Sequence, residues 1–159
     1  LSQTTQTTQK VQKTVLYIAK EHKDAVINTR PHEHDAGLDL SATETVVIPA
    51  RGTALVPIGL RVTCIEGYWY TIHPRSSLAF KHSVTPMPGS VFDSTFTGNM
   101  DIKMVNISDK DYTITKGDRF AQIILHKVNK FNITEIDVTS LEDMFSDKRG
   151  DSKWGSSGK

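Results

Sequence analysis

The sequence of 159 residues holds one cysteine, Cys64, which excludes an intramolecular disulfide. Cys64 falls in the apolar alternation Leu60-Arg-Val-Thr-Cys-Ile65, where a thiol serves as a small buried hydrophobe, and this usage leans towards a reducing compartment. No apolar run approaches the ~20 residues that span a bilayer, and the first residues lack the charged-then-apolar pattern of a secretory signal. The expectation is a soluble intracellular protein of cytoplasm or nucleus, unsecreted and without a membrane partner. Neither sign of charge dominates: 19 Lys and Arg against 18 Asp and Glu leave +1, too little to hold a nucleic-acid polymer by its backbone. No Cys/His set has zinc spacing, so His32 and His34 in His32-Glu-His-Asp35 read as a polar loop. With no secretory signal, the sequons Asn106-Ile-Ser108 and Asn132-Ile-Thr134 read as ordinary strand and loop residues.

What is present fits one domain. Residues 1–13, LSQTTQTTQKVQK, are too polar to repay the entropy of ordering and are expected to form a disordered arm. Short alternating segments follow: Thr14–Ala19, Ala36–Ala42, Glu44–Ile48, Thr53–Pro57, Leu60–Ile65 and Tyr68–Ile72, punctuated by Pro49-Ala-Arg-Gly52, Ile58-Gly59 and Glu66-Gly67. Strands at this spacing predict an all-β sandwich or barrel. Pro74-Arg-Ser-Ser-Leu-Ala-Phe-Lys-His82 breaks the pattern and predicts one short helix, capped by Ser76 or Ser77. That start brings Arg75 and two hydroxyls to a place that suits an anion, or else ties the arginine to a carboxylate. Strands are expected again at Met100–Ile107, Tyr112–Thr115 and Arg119–Leu125. Lys127–Ile136 and Val138–Phe145 read as a final strand and a connecting segment.

Gly89-Ser-Val-Phe-Asp-Ser-Thr-Phe-Thr-Gly98 reads as a β-hairpin with an acid inside it. Asp93, between Phe92 and Phe96, either caps its own turn or lies in a partly desolvated cleft where it could take a proton from water. Gln122, inside the apolar Phe120–Leu125, is either satisfied by backbone or aimed into a site. The chain ends in glycines and serines around Trp154, the pattern of a mobile arm over residues 147–159 that closes on a nucleotide.

Five segments in this order, Ala36–Ala42, Pro74–Ala79, Gly89–Gly98, Gly117–Ile123 and Arg149–Gly158, resemble the trimeric dUTP pyrophosphatase (dUTPase) family. The resemblance runs from about residue 14 to the C-terminus, with residues 14–146 as the β domain. It implies a jelly-roll-like distorted β-barrel, a homotrimer with active sites shared between subunits, and Mg²⁺-dependent conversion of dUTP to dUMP and pyrophosphate. It further implies that Asp93 is the general base for attack on the α-phosphorus and that Asp39 orders waters on a Mg²⁺ held mainly by the triphosphate. Arg75, Ser76 and Ser77 match the phosphate-binding segment, and Gln122 the glutamine of the phosphate–water network. Gly89, Ser90 and Val91, with Met100 beyond them, are implied to read uracil, and Phe96 to pack on the deoxyribose. Arg149, Trp154, Gly155, Ser156 and Ser157 match the arm that closes over substrate.

Four positions depart from that pattern: Phe96 stands for the usual Tyr, Ser90 for Gly, Trp154 for Phe and Lys153 for Gly. Two other functions fit the same fold, a dCTP deaminase-like enzyme and a catalytically weak nucleotide-sensing or partner-binding protein. Deamination needs a glutamate base beside the pyrimidine amino group, where this chain offers Asp93. The triplet Arg149-Gly-Asp151 matches an adhesion motif, but the five-segment pattern already accounts for Arg149 and Gly150.

Overall fold

In the computed structural model, described for residues 15–30, 32 and 34–144, short strands dominate. Two units divide the chain, residues 1–128 and 129–159. The first carries β1 Leu16–Lys20, β2 Gly37–Ser41, β3 Val46–Ile48, β4 Thr53–Val56, β5 Leu60–Cys64, β6 Tyr68–Pro74, α1 Ser76–His82, β7 Val84–Pro86, β8 Val91–Asp93, β9 Ile102–Asn106, β10 Tyr112–Ile114 and β11 Arg119–Lys127. The fold is all-β, with strands pairing antiparallel in four sheets. A four-stranded sheet runs β2-β11-β6-β8, a three-stranded one β4-β9-β7, and β1-β5 and β10-β3 form two pairs. Among the described residues these sheets do not close into one barrel.

Alternation decides which side of each strand enters the core. Leu60, Val62 and Cys64 of β5 are buried while Arg61 is exposed, and Tyr70 and Ile72 of β6 are buried beneath Trp69, Thr71 and His73. Tyr70 is fully enclosed, so its hydroxyl must find partners inside. It donates to the Val62 carbonyl at 2.8 Å and contacts Met100 Sδ at 3.2 Å, and burial pushes the phenol far above its ordinary range. Cys64 is 4 % exposed, in the core as expected; burial first, then the nearby Asp93 charge, raises its thiol pKa.

Two expectations are corrected here. Residues 128–137 form no strand, and Val138–Met144 is a second short helix, α2, in the second unit. Asp137 caps it, accepting from Ser140 N and Ser140 Oγ, each at 2.8 Å, and these bonds hold the carboxyl below its ordinary range. At α1 the N-cap is Arg75, with extended backbone and no side-chain cap, rather than Ser76 or Ser77. Both serines lie inside the first turn, because the helix begins directly after the Pro74 end of β6.

Candidate active site

β11 lies between β2 and β6, and its register builds the site. Gln122 pairs with Asp39 on one side and His73 on the other, so these side chains share one face of the sheet. A bulge between Arg119 and Ala121 turns both Phe120 and Ala121 into the core. Arg119 is thereby returned to the face that carries Gln122. Arg119 Nη1 then lies 3.1 Å from Asp39 Oδ2, and Arg75 Nε lies 3.5 Å from Asp39 Oδ1. Arg75 Nη1 also donates to the Arg119 carbonyl at 3.2 Å. One carboxylate thus orients two guanidiniums whose remaining N–H groups face outward.

Gln122 is aimed as firmly. Its Nε2 donates to the Pro74 carbonyl at 2.9 Å, and its Oε1 lies over Gly37, where a Cβ would sit only 1.9 Å away. Glycine is required at 37 to admit that amide. These groups line a cavity of about 350 Å³ together with Ser76, Ser77, Thr29, His32 and Asp35. Its donors are guanidinium, hydroxyl and amide, the set that binds phosphate oxygens.

Asp39, Arg75, Ser76, Ser77 and Gln122, all singled out from sequence, therefore converge. Arg119 and Gly37 were missed. Arg119 precedes an apolar run whose simple alternation sends it away from Gln122, and only the bulge reverses this; Gly37 carried no signal beyond its place beside Asp39.

The Gly89–Gly98 group lies elsewhere. Asp93 ends β8, paired with Trp69 of β6, at the opposite edge of the four-stranded sheet from Asp39. Three strand spacings and a four-residue offset along β11 separate the two acids by roughly 20 Å. Asp93 is exposed within one chain. The segment is a single strand followed by a turn, with Phe96 N donating to the Asp93 carbonyl at 3.0 Å, and residues 94–98 form no return strand. Phe92 and Phe96 meet edge to face at 5.0 Å, and Phe96 packs so near Gly98 that a Cβ there would approach its ring to 3.1 Å. Ser90 keeps an ordinary backbone: the positive-φ residues other than glycine are Arg51 and Ser83 among those described. Its hydroxyl donates to the Met87 carbonyl at 2.9 Å. Met100 is 1 % exposed and supports this segment from within the core, next to Tyr70. Arg149, Lys153, Trp154, Gly155, Ser156 and Ser157, like the arm at residues 1–13, lie outside the described residues.

A sequence model of the dUTPase family matches residues 23–158. A deoxyuridine 5'-triphosphate nucleotidohydrolase of Arabidopsis thaliana is 39% identical over 141 residues, which cover 89% of this chain and 81% of that protein. One of Candida glabrata is 36% identical over 91% of this chain and 97% of its own length. Among solved structures, a point mutant of the Staphylococcus bacteriophage 80alpha dUTPase with dUpNHpp superposes with a TM-score of 0.70 at 22% identity, over 77% of this chain and 96% of that one. A point mutant of the dUTPase from phage phi11 of S. aureus, which coordinates a structural Mg(II) ion, gives 0.68 at 22% over the same shares. The two phage structures share the fold, and the family match over residues 23–158, with relatives at 36–39% identity, establishes that this chain belongs to the dUTPase family.

Proposed function

We propose that this protein hydrolyses dUTP to dUMP and pyrophosphate in a site assembled from more than one copy of the chain, as a homotrimer. The observation that carries the shared site is the separation of roughly 20 Å between Asp93 and the Asp39–Arg75–Gln122 cavity, too far for one chain to bring its own acid to a phosphate held there.

In this reading Arg75, Ser76, Ser77 and Arg119 bind the triphosphate, and Gln122 orients the water beside the α-phosphate. Asp93 of a neighbouring copy accepts the water's proton as its oxygen bonds to the α-phosphorus. The bond from that phosphorus to the bridging oxygen breaks, and pyrophosphate leaves with the electron pair. The guanidiniums are already fixed by Asp39 and meet the growing charge without reorganising. The Gly89–Val91 backbone reads uracil, Phe96 packs against the sugar, and the arm from Arg149 through Trp154 to Ser157 closes over the substrate.

The carboxylates on this cavity, Asp35 and Asp39, are too few for a protein cage, and the described residues include no cluster of three metal-ligating side chains. That set fits Mg²⁺, which keeps its waters and takes phosphate oxygens; Asp39 would hold those waters. When bound, the ion supplies charge neutralisation on the triphosphate.

Subunit mixing tests the reading. Asp93→Asn lowers turnover by roughly 10²–10⁴-fold, and Arg75→Ala chains are likewise crippled. Co-expressed, the two variants should regain about a quarter of wild-type activity, the random chance that an intact Asp93 meets an intact Arg75. A mixture no faster than its components would overturn the shared site. Wild-type rates in either variant alone would overturn the assigned roles.

A further inference from the structure

Behind the first cavity lies a second, of about 400 Å³, lined by Arg75, Ser77 and Arg119 again, and on its far side by His82, Tyr112 and Asp118. Arg75, Ser77 and Arg119 line both spaces and form the partition. α1 delivers His82 in its last turn, and the imidazole lies tilted on the Tyr112 ring at 4.7 Å. Tyr112 is held by β10, paired with Ile48 of β3. Asp118 stands in the turn before β11, where its Oδ2 accepts from Thr115 N at 2.9 Å. No group in the catalytic reading uses His82 or Tyr112.

The donors facing this space are two guanidiniums, an imidazole, a phenol and a hydroxyl, which together suit a small oxyanion. Two guanidiniums are offset by Asp39 on one side and Asp118 on the other, so the donors of His82 and Tyr112 add to the hold on an anion. Other charges nearby are committed or point away. Asp111 accepts from Ala50 N at 2.8 Å, Lys116 pairs with Asp24 at 2.5 Å, and Lys81 is exposed beside His82 on α1. β7, packed against α1, carries Val84, Thr85 and Pro86, none of which titrates.

Resting on the reading of the first cavity as the triphosphate site, we propose that the second cavity is a binding site for an inorganic phosphate anion, through which the leaving pyrophosphate exits. Arg75 and Arg119 face both spaces, so the anion crosses the partition without giving up its cations, and His82 with Tyr112 receives it. The His82 imidazole N–H and the Tyr112 hydroxyl each supply a donor to the anion.

Calorimetric titration of the full chain with inorganic pyrophosphate, and separately with orthophosphate, tests this. His82→Gln should weaken pyrophosphate by about tenfold, the worth of one hydrogen bond to a charged group. Tyr112→Phe, which keeps the ring, should weaken it as well. In both variants kcat/KM for dUTP should stay at the wild-type value. Pyrophosphate held more tightly than orthophosphate supports the exit role; orthophosphate held equally or better overturns it. Unchanged pyrophosphate affinity in His82→Gln and Tyr112→Phe overturns the site. A collapse of kcat/KM in either variant also overturns it, because those residues would then belong to the catalytic cavity. If the wild type binds pyrophosphate through His82 yet hydrolyses no dUTP, the catalytic reading has failed and the anion site stands.

Discussion

At the scale of single residues, Gly37 and Gln122 are one unit. A Cβ at 37 would collide with Gln122 Oε1, the far end of a flexible side chain, so Gly37→Ala pushes the amide aside rather than breaking the sheet. Its stability cost should be only about 1 kcal/mol, one neutral hydrogen bond. Turnover should fall by about 10–100-fold, the loss of one contact to a charged phosphate. Thermal unfolding and steady-state kinetics on the same variant check both halves, and a variant as active as the wild type would remove Gln122 from the mechanism. Asn106 makes a different point. It is 0% exposed; its Nδ2 donates to the Ile48 and Lys110 carbonyls, and its Oδ1 accepts from Ser108 N and Ser108 Oγ. The first sequon is therefore a buried turn lock in the folded chain. Asn132 of the second is exposed.

At the scale of elements, legibility followed the range of the interactions. Alternation at Leu60–Cys64 and Tyr68–Ile72 placed β5 and β6, because side-chain facing is local information. Asp39, Arg75 and Gln122 were legible as chemistry that alternation does not explain. Arg119 was not, because its facing depends on a bulge that only pairing with β2 creates. The helix cap, expected at Ser76 or Ser77, erred by one or two positions for a similar reason: the chain leaves β6 at Pro74, and that exit, rather than a serine hydroxyl, sets Arg75 as the cap. Val138–Met144 was read as connection where a helix forms around Asp137. α2 buries none of its residues, so it depends on that cap more than on packing. Asp137→Ala should strip hydrogen-exchange protection from Leu141 N, which donates to the Asp137 carbonyl at 3.1 Å. The carboxyl's pKa is depressed, first by the Ser140 backbone bond. The cap therefore holds at neutral pH and is lost as pH falls below the ordinary aspartate range near about 4. The protection factor of Leu141 N, its exchange relative to the intrinsic rate at each pH, should fall on acidification in the wild type and stay flat in the variant.

At the scale of the whole molecule, one sheet presents two functional ends that cannot meet. Asp93 and the Asp39 cavity share a face but sit at opposite edges of the sheet, and in the proposed assembly each copy would offer one edge to a neighbour and receive the other. The family resemblance implied shared sites, but the distance within one chain between Asp93 and Asp39 was not legible, because it depends on which strands pair across the sheet. The described residues contain no helix long and apolar enough to cross a membrane. The divided sheet also bears on timing and dose. On the proposed shared site, a newly made copy would be inert until its base and its phosphate cradle meet those of other copies. After refolding from denaturant, activity should appear with a lag that shortens as protein is added, and specific activity should drop on extreme dilution. A refolding rate independent of concentration would count against that dependence. On that reading catalysis would be governed by supply: where assembly is incomplete, halving synthesis would cost more than half of the catalysis, because what becomes scarce is meetings.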